Sequence, residues 1–287
     1  MARRALVLGG GGPVGIAWES GIVAGLEREG VAVGSADLIV GTSAGSVVGA
    51  QLALGRSGQE VLATQLAEIP RAGQSDSIAP PLPDVGPLIQ LMANRPAQGE
   101  MPVHMRAEIG AFALRAKTID EEAFIANFGR IASTRGAWPE RFVCTAIDAL
   151  DGSFRTWGKA AGVDLGRAVA SSCAVPGIFP PISISGRRYY DGGIRSATNA
   201  DLANGYDLVL VVAVMSAVMP EAFRQSFDAE ITALEASGSR PSLIVPDAEC
   251  LALFGINLMD SSRRSEIARA GQRQGLLEAA RLREFWN

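Results

Sequence analysis

The chain has 287 residues, 48% hydrophobic and 20% charged, with a formal net charge of −4. That balance describes an ordinary globular chain with ample core. The negative charge, with no segment alternating basic and aromatic residues, argues against nucleic acid as a partner.

Cys144, Cys173 and Cys250 are odd in number and widely separated, so reduced core thiols are expected rather than a disulfide framework or a metal site. The longest apolar run, Leu208 to Met219, is too short to span a bilayer and is expected to form a buried strand. No linker rich in Ser, Gly and charge divides the chain, so one domain over 1–287 is expected. Met1-Ala2-Arg3-Arg4 run straight into the first strand, which leaves no room for a signal peptide and makes a cytoplasmic location the expectation.

Ala5 to Leu8 reads as that first strand. It runs into Gly9-Gly10-Gly11-Gly12-Pro13-Val14-Gly15. A helix is expected next: Pro13 suits a first turn, and Ile16, Ala17, Ile22, Val23 and Leu26 recur at helical spacing before Gly30. Consecutive glycines ahead of a helix leave bare backbone N–H groups aimed at one spot, where negative charge is favoured. Gly10, Gly12 and Gly15 also match the dinucleotide fingerprint, but the acidic residue needed at the carboxyl end of the second strand is missing, since Asp37 stands at its amino end.

Leu38-Ile39-Val40 turns into Gly41-Thr42-Ser43-Ala44-Gly45, the one Gly-x-Ser-x-Gly of the chain. Roughly 0.2 to 0.3 such matches would arise by chance at this composition, so the setting carries the argument. A strand that turns sharply into a helix presents the serine hydroxyl at the strand's carboxyl end, and small flanking residues permit the strained turn. Ser43 is therefore the candidate nucleophile.

From Arg71 to Trp138 the alternation of strand and helix breaks. Pro80, Pro81, Pro83 and Pro87 open the segment, Leu88, Ile89, Leu91 and Met92 follow, and a later helix is expected to carry a Thr118/Glu121 capping box. We expect an inserted helical cap at about 71–138, with Met92, Met101 and Met105 suited either to an irregular acyl pocket or to core packing. His104, the only imidazole, has no second functional group beside it and is expected to be a loop or packing residue.

Phe142 to Ile147 reads as a buried strand. Ser171 to Pro181 is apolar and proline-stiffened, suited to line a dry cleft, and Tyr189-Tyr190 lead into Asp191-Gly192-Gly193. With no histidine at hand, Asp191 is the candidate base, because desolvation raises the basicity of a carboxylate. Leu208 to Val214 and Leu243 to Val245 read as strands, and Glu221 to Ala236 as a helix. The last helix, about Ser261 to Phe285, is rich in arginine; a solvated face is expected, with weak attraction to an anionic membrane surface as the minority reading. The pattern as a whole indicates a mostly parallel sheet covered on both faces.

In this order and spacing, the glycine loop, the Gly41 to Gly45 elbow, the Ser171 to Pro181 segment and Asp191-Gly192-Gly193 resemble patatin-like phospholipases, from Leu6 to about Asn199. The resemblance implies an α/β protein of three α/β/α layers around a mostly parallel sheet. It implies a serine/aspartate dyad acyl hydrolase that needs no cofactor and no metal, with an acyl-serine intermediate on Ser43. Asp191 would be the base, and the N–H groups of Gly10, Gly11 and Gly12 the oxyanion hole. Lipid or other apolar acyl esters would be the substrates, with peripheral membrane contact. Many members carry Arg or Lys where this chain has Val14, so one positive charge is missing beside any anionic head group. Two rival readings stay open: a noncatalytic lipid-binding member, and a nucleotide-binding oxidoreductase.

Overall fold

Five short apolar runs become parallel strands because both of their faces are covered. The computed structural model describes residues 2–67, 86–93, 100–129, 138–214, 221–255 and 257–287. Strands β1 (Arg4–Leu8), β2 (Leu38–Gly41), β3 (Phe142–Asp148), β7 (Leu208–Val212) and β8 (Arg240–Ile244) pair in parallel in the order β3-β2-β1-β7-β8. Strands β4 (Phe154–Trp157), β5 (Ile182–Ile184) and β6 (Arg187–Asp191) add antiparallel pairs at the β3 side.

Strand alternation decides which helix each side chain meets. In β1, Leu6 and Leu8 face a core shared with helices α1 (Gly12–Arg28) and α2 (Ala44–Ala53), while Ala5 and Val7 face the opposite core. That opposite core is closed by Ala200, Ala203 and Leu234. All of these side chains are buried, so a polar residue on either face of β1 would find no water. Leu234 belongs to a helix spanning Glu221–Ala236, the bounds read from the sequence. The apolar run from Leu208 extends as a strand through Val212, and residues 215–220 lie outside the described ones.

The C-terminal helix, Arg264–Trp286, packs along α1 at backbone contact. A Cβ on Gly21 would lie 2.2 Å from Ala268 O, and one on Gly271 would lie 2.4 Å from Trp18 O, so only glycine permits this approach. Its arginines are largely paired on the surface: Arg263 with Glu266, Arg273 with Asp247, and Arg281 with Glu278. Among the described residues no helix is long and apolar enough to cross a membrane.

Within 71–138 the described residues form three helices, α3 being Gly58–Leu66 just before them: α4 (Gly86–Ala93), α5 (Val103–Arg115) and α6 (Glu121–Ala126). Pro80, Pro81 and Pro83 lie outside the described residues. Met101 is buried against Ile109, Ile147 and Tyr190, with Met92 and Met105 packed on them. These methionines thus fill a satellite core beneath α4 and α5. They do not line the cavity at Ser43, described below.

The expected capping box of α6 is also corrected. Asp120, not Thr118, accepts from Ala123 N at 3.0 Å, because the helix starts two residues later than the box requires. Glu121 is drawn instead to the N–H and hydroxyl of Ser183. His104 is exposed in the first turn of α5.

Candidate active site

Pairing along β3 brings two distant parts of the chain together. Ala146 and Ile147 each pair with both β4 and β6, so those strands must lie on opposite edges of β3. Cys144 pairs with both Gly41 of β2 and Trp157 of β4, so β2 lies opposite β4 as well. It follows that β2 and β6 share one edge of β3. The first runs parallel to β3 and the second antiparallel, so their carboxyl ends meet: Gly41 stands beside Cys144 and Asp191 beside Ala146.

At the end of β2 the chain makes its sharp turn. Ser43 has φ 51° and ψ −116°, a positive φ held by a non-glycine residue, and it caps α2. Such a conformation costs on the order of 1–3 kcal/mol and persists only where the surroundings enforce it. Here they do. Thr42 N donates to Leu8 O at 3.0 Å and Gly45 N to Gly9 O at 2.9 Å, which locks the elbow onto β1 and the glycine loop. A Cβ at Gly45 would lie 2.1 Å from Leu8 O. Ser43 N donates to Ser172 Oγ at 2.9 Å, Ser172 being the last residue of helix α7 (Leu165–Ser172). Ser43 O accepts from Ser46 Oγ at 2.6 Å and from Cys173 Sγ at 3.2 Å.

Asp191 closes β6 and is 5% exposed. Its Oδ1 accepts from Gly193 N at 2.8 Å. Burial pushes its carboxyl up to about 7, against the lowering effects of the Gly193 N–H and of a hydrogen bond with the Ser43 side chain. Ser43 is itself only 7% exposed. A dry carboxylate in contact with a serine hydroxyl is a stronger base than one in water. His104, on α5, is not part of this cluster.

A polar network invisible in the sequence ties the two ends together. Asn199, in the left-handed region at φ 51°, donates through Nδ2 to Thr42 Oγ1 at 3.0 Å and to Ser196 O at 2.9 Å. Thr145 Oγ1 donates to Thr42 Oγ1 at 3.1 Å, which places a hydroxyl bridge at the junction of β2, β3 and β6. Arg195 holds Asn199 Oδ1 at 2.8 Å and Asp201 in a fork at 2.9 and 2.8 Å. Fully satisfied networks of this kind fix one arrangement of a buried site.

The glycine loop divides its donors. Gly10 N donates to Ala197 O at 2.8 Å, so this amide is spent on the fold and is corrected out of the expected oxyanion set. Among the described residues the N–H groups of Gly11 and Gly12 have no acceptor, and α1 begins at Gly12. Ala44 N–H, in the first turn of α2, has none either. Val14 is buried, with its N–H on Leu258 O. Glu19 of α1 is fully buried, its carboxyl oxygens lack hydrogen-bond partners among the described residues, and burial drives its pKa well above the ordinary range.

Above Ser43 opens a cavity of about 380 Å³. Its walls are mostly apolar: Ile16 and Val47 on the helices, Val175 and Phe179 from the segment after α7, and Phe124 and Phe128 from the α6 region, with Gln65, Asn127, Ser261 and Arg264 among the polar lining. Phe124 stacks on Phe179 with ring centroids 4.3 Å apart. Volume and lining are those of a small-ligand site. Among the described residues no cluster of three or more His, Cys, Asp or Glu could hold a metal.

A family model described as patatin-like phospholipase matches residues 6–204. Comparison with curated protein sequences finds no match. Among solved structures, VipD from Legionella pneumophila is similar at 12% identity and a TM-score of 0.47, over 98% of this chain and 67% of that one. The type III effector protein ExoU is similar at 15% identity and a TM-score of 0.42, over 98% of this chain and 53% of that one. In the ExoU–SpcU complex from Pseudomonas aeruginosa the figures are 17%, 0.42, 99% and 52%. This chain thus spans about half the length of ExoU, and likeness at these scores carries nothing about activity.

Proposed function

The chain belongs to the patatin-like phospholipase family, and from that premise we propose that it hydrolyses carboxylic esters with apolar acyl chains through an acyl-Ser43 intermediate. The observation that carries the reading is the buried Asp191 carboxyl, pushed up to about 7 by burial and lowered in part by its interaction with the Ser43 side chain, with Ser43 lining a mostly apolar cavity. The family supports lipid hydrolysis.

Ionised Asp191 accepts the Ser43 proton as Oγ attacks the ester carbonyl. The tetrahedral oxyanion is met by the N–H groups of Gly11 and Gly12, with Ala44 N–H and the N-terminus of α2 adding positive potential. Collapse breaks the bond to the alcohol, which leaves with the proton from Asp191. Water then enters, Asp191 takes its proton, and the second tetrahedral state releases the carboxylic acid and restores Ser43. One carboxylate serves both halves. Raised basicity matters because a carboxylate near 3.8 would accept a serine proton far less readily.

In this reading 71–138 is an insertion of a single domain, and Phe124 and Phe128, described residues within it, line the acyl cavity. The chain acts in the cytoplasm and meets membranes peripherally. The test is paired kinetics. Ser43→Ala should lower ester hydrolysis at least ~10⁴-fold, and Asp191→Asn should abolish both the acylation burst and turnover. Retention of more than a tenth of the rate by folded Ser43→Ala protein overturns the proposal.

A further inference from the structure

Among the described residues one charged side chain lines the cavity at Ser43. It is Arg264, the first residue of the C-terminal helix, and the glycine-loop residues Gly12 and Pro13 line the same cavity. Arg263 just before that helix, and Arg273 and Arg281 on it, are paired with carboxylates, whereas among the described residues no carboxylate lies within ion-pair distance of Arg264. One guanidinium nitrogen donates to Ala67 O at the end of α3, and the Nε and the other terminal nitrogen have no acceptor among the described residues. The side chain is only partly exposed. A partly exposed guanidinium beside aromatic and aliphatic walls, with no carboxylate within ion-pair distance among the described residues, is a place where an anionic ligand would be stabilised. The free edge of the fork matches the two oxygens of a carboxylate or phosphate.

We propose that Arg264 is a specificity residue that selects apolar ligands bearing one anionic group, carboxylate or phosphate, with the chain in the cavity and the anion on the guanidinium. The proposal rests on the reading that this cavity holds the acyl part of the substrate. It also places a cation at the site from the far end of the chain, where the glycine loop offers only Val14. Substrates would then be anionic esters: phosphate-bearing glycerolipids or monoesters of dicarboxylic acids.

Equilibrium binding to Ser43→Ala protein tests this without catalysis, so failure here is distinct from failure of the hydrolase reading. Dodecyl phosphate, dodecanoate and dodecanol share one chain and differ in the head. Either or both anions should bind about ten- to a hundredfold more tightly than dodecanol, and the tighter anion identifies the source. Arg264→Gln should erase that margin, and Arg264→Lys, which keeps the charge and loses the fork, should retain only part of it. Dodecanol binding as tightly as both anions, or Arg264→Gln weakening all three alike in a protein of unchanged melting temperature, overturns the assignment. Loss of the margin in the Lys variant as well would show that the bidentate fork, rather than charge, recognises the anion, which supports it. In the wild-type chain, kcat/KM for an anionic over a neutral ester of equal length should fall by the same factor on Arg264→Gln.

Discussion

A pH–rate profile of this protein should show an ionisation near neutrality that a reader would assign to histidine, and the assignment would be wrong. Asp191 is pushed up from an ordinary 3.8 to about 7 by burial. As the proposed base it must be ionised, so kcat/KM should rise through about pH 7. At pH 6 about a tenth of the plateau should remain, whereas an unperturbed carboxylate would still be fully ionised there. His104 is the single imidazole and lies exposed on α5, outside the cavity. The assay is hydrolysis of a soluble neutral ester followed by pH-stat between pH 4.5 and 9, for wild type and His104→Gln. Both profiles should share the inflection, and turnover of the variant should stay within about threefold of wild type. Disappearance of the inflection in His104→Gln, or a thousandfold fall in its turnover with binding intact, would refute the aspartate-only reasoning.

The same burial has a cost in stability. A carboxyl whose folded pKa is raised from 3.8 to about 7 loses stability as pH rises between about 4 and 7, by up to about 4 kcal/mol in full. Asp191→Asn should therefore melt higher than wild type at pH 8 and similarly at pH 4, even though it is inactive; a lower melting temperature at pH 8 contradicts the desolvation account. Asn199→Ala removes the link between Thr42 and Ser196 O and should cost about 1–3 kcal/mol of stability by leaving buried groups unpaired, with a fall in kcat larger than any rise in KM; unchanged kinetics would show that the network is only structural. Gly45→Ala puts a methyl 2.1 Å from Leu8 O, so chemical denaturation should show severe destabilisation, and a fully stable variant would mean the elbow is placed differently. Glu19→Gln replaces a carboxyl that burial holds well above the ordinary range with an amide of the same shape, and its urea midpoint at pH 7 should stay near or above wild type; a large loss would contradict the desolvation of Glu19.

Local signals were the ones legible in the sequence. Gly41 to Gly45 announce the elbow because a strained turn between a strand and a helix needs small residues, and the helix over Glu221–Ala236 follows from periodicity alone. The partnership of Asp191 with Ser43 was not readable from spacing. It arises because β2 and β6 share one edge of β3, a register that depends on pairing across 150 residues of sequence. The partners of Asn199 and Ser172 are hidden for the same reason: Ser172 falls in the cleft-lining Ser171 to Pro181 segment, but neither its contact with Ser43 nor that of Asn199 with Thr42 carries a pattern until the fold brings them together. Gly10 reads as a donor to substrate because bare glycine N–H groups look alike in sequence, yet in the fold its N–H donates to Ala197 O. The methionines of the insertion were equally ambiguous. Their side chains suit a pocket or a core, and the way α4 and α5 lie on Ile147 and Tyr190 decides for the core.

The central claim is covalent: Ser43 attacks the ester and carries the acyl group. Incubation with a fluorophosphonate followed by peptide mass mapping tests it most directly. The account predicts a single adduct on the peptide containing Ser43, formed in step with loss of ester hydrolysis and absent from Ser43→Ala protein. Full hydrolysis with no adduct, or an adduct on another serine that tracks the loss of activity, would contradict it.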